Sequence, residues 1–324
     1  MTWLITGGAG YIGSHVVQEM VRREPVVVLD DLSTGRAERL PQDTPLVVGS
    51  VLDRELLDRV LAEHAVTGIV HLAGKKQVGE SVERPLYYYR ENVDGLRSLL
   101  DAAVAAGVGR FLFSSSAAVY GMPDVDLVTE ETPCLPLSPY GETKLAGEWM
   151  VSAVGRAHGM ATASLRYFNV AGAASAELGD DGVFNLVPMV FERLTGNEPP
   201  RVFGDDYETP DGTCIRDYIH VEDVATAHVA AAQRLTDDLS TSLILNIGRG
   251  QGVSVSEMVA VIQDVTGLRD LPPVVEGRRA GDAARVVASA DRIRQELGWT
   301  SRHDIRSMVA SAWAGWCLRH PTSA

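Results

Sequence analysis

The chain has 324 residues, 45% of them hydrophobic, and a net charge of −14 from 43 Asp and Glu against 29 Lys and Arg. That length supports one large or two medium domains around a sizeable core. An acidic chain with no basic run is a poor partner for a phosphate backbone, and no apolar run approaches the roughly 18 residues of a membrane-crossing helix, so neither nucleic acid nor membrane is expected as a partner.

Residues 2–6 read as a short apolar strand, followed by Gly7-Gly-Ala-Gly10-Tyr-Ile-Gly13 and a helical pattern to about Arg23. Residues 26–30 (Val-Val-Val-Leu-Asp) are a second buried strand. In a strand, Gly-rich turn, helix and strand of this kind, the glycines make the tight turn, let the backbone approach a pyrophosphate and pack helix on strand. The helix N-terminus then receives the phosphates. The spacing is G-x-x-G-x-x-G. Asp30 closes the second strand, where a carboxylate accepts from ribose hydroxyls and repels a 2′-phosphate, so NAD is expected over NADP.

The alternation continues with strands at 46–48, 68–72, 110–114 and 162–166, and helices at 54–63, 83–106 and 140–158. Strands alternating with helices imply a doubly wound parallel α/β sheet of the Rossmann type. Ligands bind such sheets beyond the carboxyl ends of the strands, here Gly7, Asp30, Ala73-Gly74, Ser115-Ser116 and Tyr167-Phe168-Asn169. Residues 171–213 are rich in Gly, Asp and Pro. Helices near 186–195, 222–234, 255–265 and 290–297, with a strand at 243–246, suggest a smaller α/β region lidding the crevice. The expected division is a cofactor domain at 1–170, with about 214–240, interwoven with a substrate domain at 171–324. Cys134, Cys214 and Cys317 are far apart without metal-ligand spacing, so reduced thiols and no metal are expected. The absence of a cleavable leader makes a cytoplasmic location the expectation.

Residues 138–144 (Ser-Pro-Tyr-Gly-Glu-Thr-Lys) start a helix. Ser138 suits the N-cap, Pro139 the first position, and Glu142 the first turn. Tyr140 and Lys144 share one face. At roughly 5 Å and an effective dielectric of about 20, the ammonium is worth about 3 kcal/mol to a phenolate, which would bring Tyr140 towards neutrality as a base.

TGGAGYIG at 6–13, SSSAAVYG at 114–121 and the Tyr140/Lys144 pair resemble the extended short-chain dehydrogenase/reductase family. AGKKQVGES at 73–81, RYFNVAGA at 166–173, FGDDYETPDGTCIRDYIHVEDVA at 203–225 and RRAGD at 278–282 narrow the resemblance to its UDP-glucose 4-epimerase branch, from Thr6 to about Pro321. The resemblance implies NAD-dependent interconversion of UDP-glucose and UDP-galactose through a transient 4-keto sugar. Tyr140 would be the base, Lys144 its partner and the hold on the nicotinamide ribose, and Ser116 the group on the sugar 4-oxygen. Gly7, Gly10, Tyr11, Ile12, Gly13, Asp30, Asp31, Leu32, Ser33, Thr34, Gly35, Ser50, Val51, Leu72, Ala73, Gly74, Lys76, Asn92, Ser114 and Phe168 would join Tyr140 and Lys144 at NAD. Ser116, Tyr140, Asn169, Asn185, Leu186, Arg201, Val202, Phe203, Arg216, Arg279, Asp282 and Val286 would face the UDP-sugar. Arginine's fork suits a diphosphate, and in an acidic chain local cations are needed there. The resemblance also implies a homodimer, paired through the helix after Val82 and the Tyr140 helix.

Two departures carry expectations. Ser50 stands where the family usually has Asp against the adenine amino group, so slightly weaker NAD retention is expected. Val286 is small where a larger residue often limits room beside the sugar 2-substituent, so N-acetylhexosamines are expected to be tolerated. Among rival readings, a 4,6-dehydratase needs an Asp-Glu pair after the active-site Ser or Thr, whereas Ala117-Ala118 follows Ser116. Epimerisation of another UDP-sugar, such as a uronic acid or pentose, is less resisted. An NAD-sensing module has no use for Ser116, Tyr140 and Lys144 together.

Overall fold

The computed structural model describes residues 1–279 and 281–321. Ala280, within the segment expected on the substrate side, and residues 322–324 lie outside the described residues. In chain order the elements are β1 (Thr2–Thr6), α1 (Tyr11–Met20), β2 (Val26–Asp30), β3 (Leu46–Val48), α2 (Arg54–Glu63), β4 (Val66–His71), α3 (Val78–Glu83), α4 (Pro85–Tyr88), α5 (Gly95–Ala105), β5 (Arg110–Ser116), α6 (Pro139–His158) and β6 (Ala161–Tyr167). They continue with β7 (Asn169–Ala171), α7 (Leu186–Thr195), β8 (Arg201–Phe203), β9 (Ile215–His220), α8 (Val221–Asp237), β10 (Ser242–Ile247), β11 (Gly252–Ser254), α9 (Val255–Thr266), β12 (Val274–Glu276), β13 (Arg285–Val286), α10 (Asp291–Leu297) and α11 (Ile305–Arg319).

Seven parallel strands form the central sheet in the order β10-β6-β5-β4-β1-β2-β3. All five residues of β2 are buried, as a strand covered on both faces requires. From β1 the chain steps to β2 and β3, then crosses back to β4 on β1's other side, so the topological switch lies between β1 and β4. Crevices in open α/β sheets form there. One core cluster, with Ile5, Val28, Leu112 and Leu245, fills the face under α1 and α8. The other, with Leu4, Leu57, Ile69, Leu99 and Phe111, lies under α2 and α5.

Each end of α6 has a local cause. Ser138 accepts from the Gly141 N–H at 3.2 Å and Pro139 occupies the first position. Gly159, at φ +66°, closes the helix in the left-handed region. β10 is an edge strand of the large sheet, beyond the 214–240 segment expected there. Beside it, α8 packs on α1. A third core cluster, with Val190, Phe191, Met258, Ile262, Met308 and Trp316, holds α7, α9 and α11 together. Around it lie short strands: β9 pairs with β7, β11 and β13, and β8 with β12.

The strands β7, β8, β9, β11, β12 and β13 were not expected, and helices differ from expectation as well. The helix expected over 83–106 starts at Pro85, because Arg84 precedes a proline and leaves the helical region (φ −130°, ψ 57°). It carries a π-helical turn at Tyr89–Asp94 before α5. The C-terminal helix α11 was not expected. Its apolar residues lie on more than one side and give little 3.6-residue rhythm.

Candidate active site

The crevice at the switch point is built first by backbone. Gly7 sits at φ +71° and donates its N–H to the Leu29 carbonyl at 2.8 Å. A Cβ on Gly13 would lie 2.0 Å from the Gly7 carbonyl oxygen, so only glycine allows this approach. Gly10 is the N-cap of α1, without a capping side chain and with no acidic residue in the first turn. The positive end of the helix dipole is therefore left for an anion. At the end of β2, the Asp30 carboxylate accepts from the Ala9 and Leu32 N–H groups, both at 2.9 Å. Burial pushes its carboxyl upward against those two bonds. Lys75 reaches across to donate to Ser33 Oγ at 3.0 Å.

A cavity open to solvent runs from this turn to Tyr140 and Lys144. Of the expected cofactor residues, Leu32, Gly35, Asn92 and Phe168 do not line it. Asn92 instead braces its wall: Oδ1 accepts from the Lys75 N–H at 2.7 Å, while Nδ2 donates to the Lys75 carbonyl and Thr143 Oγ1, both at 3.0 Å. Phe168 is buried beside Tyr120, with ring centroids 6.5 Å apart. Ser50 Oγ accepts from the Leu52 N–H at 3.1 Å, so part of its acceptor capacity is committed. An elongated cavity with a glycine cradle, an uncapped helix start and a strand-end carboxylate fits a dinucleotide.

At the far end, Lys144 Nζ donates to the Ser114 carbonyl at 2.8 Å and lies 5.9 Å from the Tyr140 ring centroid. Burial pushes the ammonium down to about 8, with Glu148 acting to raise it. Tyr140 lies deep in the molecule, but its side chain still opens onto the cavity. Its phenol is raised by burial, and a hydrogen bond with Ser116 pulls the other way. This departs from the expectation that Lys144 brings the phenol towards neutrality. Burial disfavours the phenolate, and the ammonium is committed to a backbone carbonyl. Ser116 Oγ also accepts from the Ala118 N–H at 3.2 Å, capping the short turn that follows β5.

A second cavity, also open to solvent, is lined by Asn169, Asn185, Leu186, Arg201, Phe203, Arg216, Arg279 and Asp282, which were all expected on the substrate side. Val202 is buried in β8, and Val286 packs with Val119, Tyr120 and Phe168; neither lines the cavity. Arg216 Nη1 donates to the Ile215 and Ala283 carbonyls at 2.9 and 2.7 Å, and Nη2 meets Asp282 at 3.2 Å. Arg279 stacks its guanidinium 3.7 Å from the Phe203 ring centroid. Arg193, Tyr218 and Phe184 also line this cavity. They escaped the sequence reading: Tyr218 lies inside a strand, where an aromatic residue gives no signal of which face it shows, Arg193 is a charge on a helix like others, and Phe184 lies in the turn before α7. Glu91 in the first cavity escaped it too, because the π-turn rotates the helix off its 3.6-residue pattern. Tyr167, placed at the crevice by its strand end but given no role, lines the first cavity.

Known proteins share this arrangement along the whole chain. The profile of the NAD dependent epimerase/dehydratase family matches residues 3–248. The UDP-glucose 4-epimerase of Azospirillum brasilense is 46% identical over 320 residues, 97% of this chain and 91% of that protein. That of Corynebacterium glutamicum is 44% identical, over 97% of this chain and 95% of its own. The crystal structure of the UDP-glucose 4-epimerase from Stenotrophomonas maltophila, with bound NAD and formylated UDP-arabinopyranose, superposes with a TM-score of 0.95 at 39% identity, covering 100% of both chains.

Proposed function

This chain belongs to the NAD dependent epimerase/dehydratase family, and from that premise we propose that it interconverts UDP-glucose and UDP-galactose by inverting C4 through a transient 4-keto sugar. The observation that carries the reading is the meeting of Tyr140 and Lys144 at the end of a dinucleotide-shaped cavity, with Ser116, which does not itself line the cavity, hydrogen-bonded to Tyr140. NAD, held along the glycine turn and Asp30, supplies a reversible hydride acceptor. Tyr140 takes the proton from the sugar 4-hydroxyl and returns it. Ser116 holds the 4-oxygen, and Lys144 steadies the negative charge at the phenol. Burial raises the free phenol, and the cationic ring of oxidised NAD would oppose that rise. Asn185, Leu186, Arg201, Arg216 and Arg279 bind the UDP moiety, with Arg279 as the guanidinium freest to turn towards a diphosphate. Ala117-Ala118 leave no second acid to expel water, so the redox step reverses in place.

The reading includes a homodimer. Val82, Leu86 and Trp149, 62%, 83% and 65% exposed, form an apolar face across α3, α4 and α6 that a second copy would cover. It also includes a cytoplasmic role in galactose metabolism; among the described residues no helix is long and apolar enough to cross a membrane. Incubation of the purified protein with UDP-galactose, without added cofactor, should yield UDP-glucose; no conversion would refute the reading. The same assay with UDP-N-acetylgalactosamine tests the room expected beside Val286.

A further inference from the structure

Three chain segments must hold still relative to one another for the reaction above. They are the end of β5 with Ser116, the end of β6 with Tyr167, and α6 with Tyr140 and Lys144. One buried side chain touches or adjoins all three. Glu148, 2% exposed, lies one turn beyond Lys144 on α6. Its Oε1 accepts from Ser115 Oγ at 2.5 Å and from Arg166 Nε at 2.8 Å. Its Oε2 accepts from Arg166 Nη2 at 2.6 Å. Ser115 sits between the carbonyl that receives Lys144 and the hydroxyl expected on the sugar. Arg166 precedes Tyr167 and passes the network on: Nη1 donates to the Tyr120 hydroxyl at 2.7 Å, which donates to Asn246 Oδ1 on β10 at 2.6 Å.

We propose that Glu148 is a positioning residue: its carboxylate ties β5 and β6 to the helix carrying Tyr140 and Lys144. The inference rests on the epimerase reading. Spacing of four residues puts Glu148 and Lys144 on one face of α6. The Glu148 charge is balanced by Arg166 in a buried pair, 2% and 3% exposed, so the pair holds the three segments without adding net charge beside the reacting groups.

Glu148→Gln alone would strand a buried guanidinium, so the charges are removed as a pair in Glu148→Gln/Arg166→Met. Folded and NAD-loaded, that variant should lose about tenfold or more in kcat with the KM for UDP-galactose within threefold, since the ties hold the reacting groups and not the nucleotide. Ser115→Ala removes one tie and no charge, and its kcat should fall about tenfold in the same way. Full kcat in either folded variant, or a rise in KM alone, overturns the proposal. An inactive parent in the same assay would instead refute the epimerase reading.

Discussion

The two cavities recognise by different means. The cofactor side is made of backbone: a glycine turn, an uncapped helix start, and strand ends fixed by the register of seven parallel strands. The substrate side is made of long side chains on short strands and a helix, and its arginines already have partners such as Asp282, Glu276 and the Phe203 ring. Backbone recognition is rigid and fails abruptly when shape is lost. Side-chain recognition is exchangeable, since an arginine can trade a carboxylate for a phosphate at modest cost. The proposed base, Tyr140, stands on α6 at the far end of the first cavity.

Substitutions should separate these regimes. Tyr140→Phe, at the far end of the first cavity, should lower kcat by about 10³-fold while NAD content and melting stay near those of the parent. A loss smaller than tenfold would move the base elsewhere. On the backbone side, Gly13→Ala must push a methyl group into the Gly7 carbonyl, 2.0 Å away. Purified protein should carry little NAD, and urea unfolding should show a loss of about 2 kcal/mol. Full NAD occupancy would show that the turn yields. On the side-chain side, Arg279→Ala should raise the KM for UDP-galactose about 30-fold, the worth of about 2 kcal/mol for hydrogen bonds to a charged group, with kcat within threefold. A fall in kcat with KM unchanged would put Arg279 at the reaction and not at the diphosphate. The smallest change belongs to Ser50→Asp, which adds a charged acceptor beside the adenine end. NAD release on dilution should slow by about threefold; equal release would remove Ser50 from the cofactor site.

The same contrast decided what could be read without coordinates. The parallel strands announce themselves as runs such as Val26 to Asp30, apolar because both faces are covered, and their carboxyl ends fall at the crevice by topology. The glycine turn, Asp30 and Ser116 were legible for that reason, and Tyr140 and Lys144 through their spacing of four at a helix start. The short strands β7, β8 and β11 to β13 were not, since two or three residues carry no periodicity. The raised phenol of Tyr140 was missed as well. Spacing on a helix gives the distance to Lys144, but not the burial that outweighs it or the carbonyl that occupies the ammonium. Glu148 has no signal in the sequence, because its burial comes from β5 and β6, which supply Ser115 and Arg166 as its partners.

The central claim, that hydride leaves C4 and returns to C4 within one active site, is tested most directly with UDP-galactose deuterated at C4. Purified protein without added cofactor should give UDP-glucose with the deuterium retained at C4. Deuterium lost to solvent, or product formed only when NAD is supplied in stoichiometric amount, would contradict it.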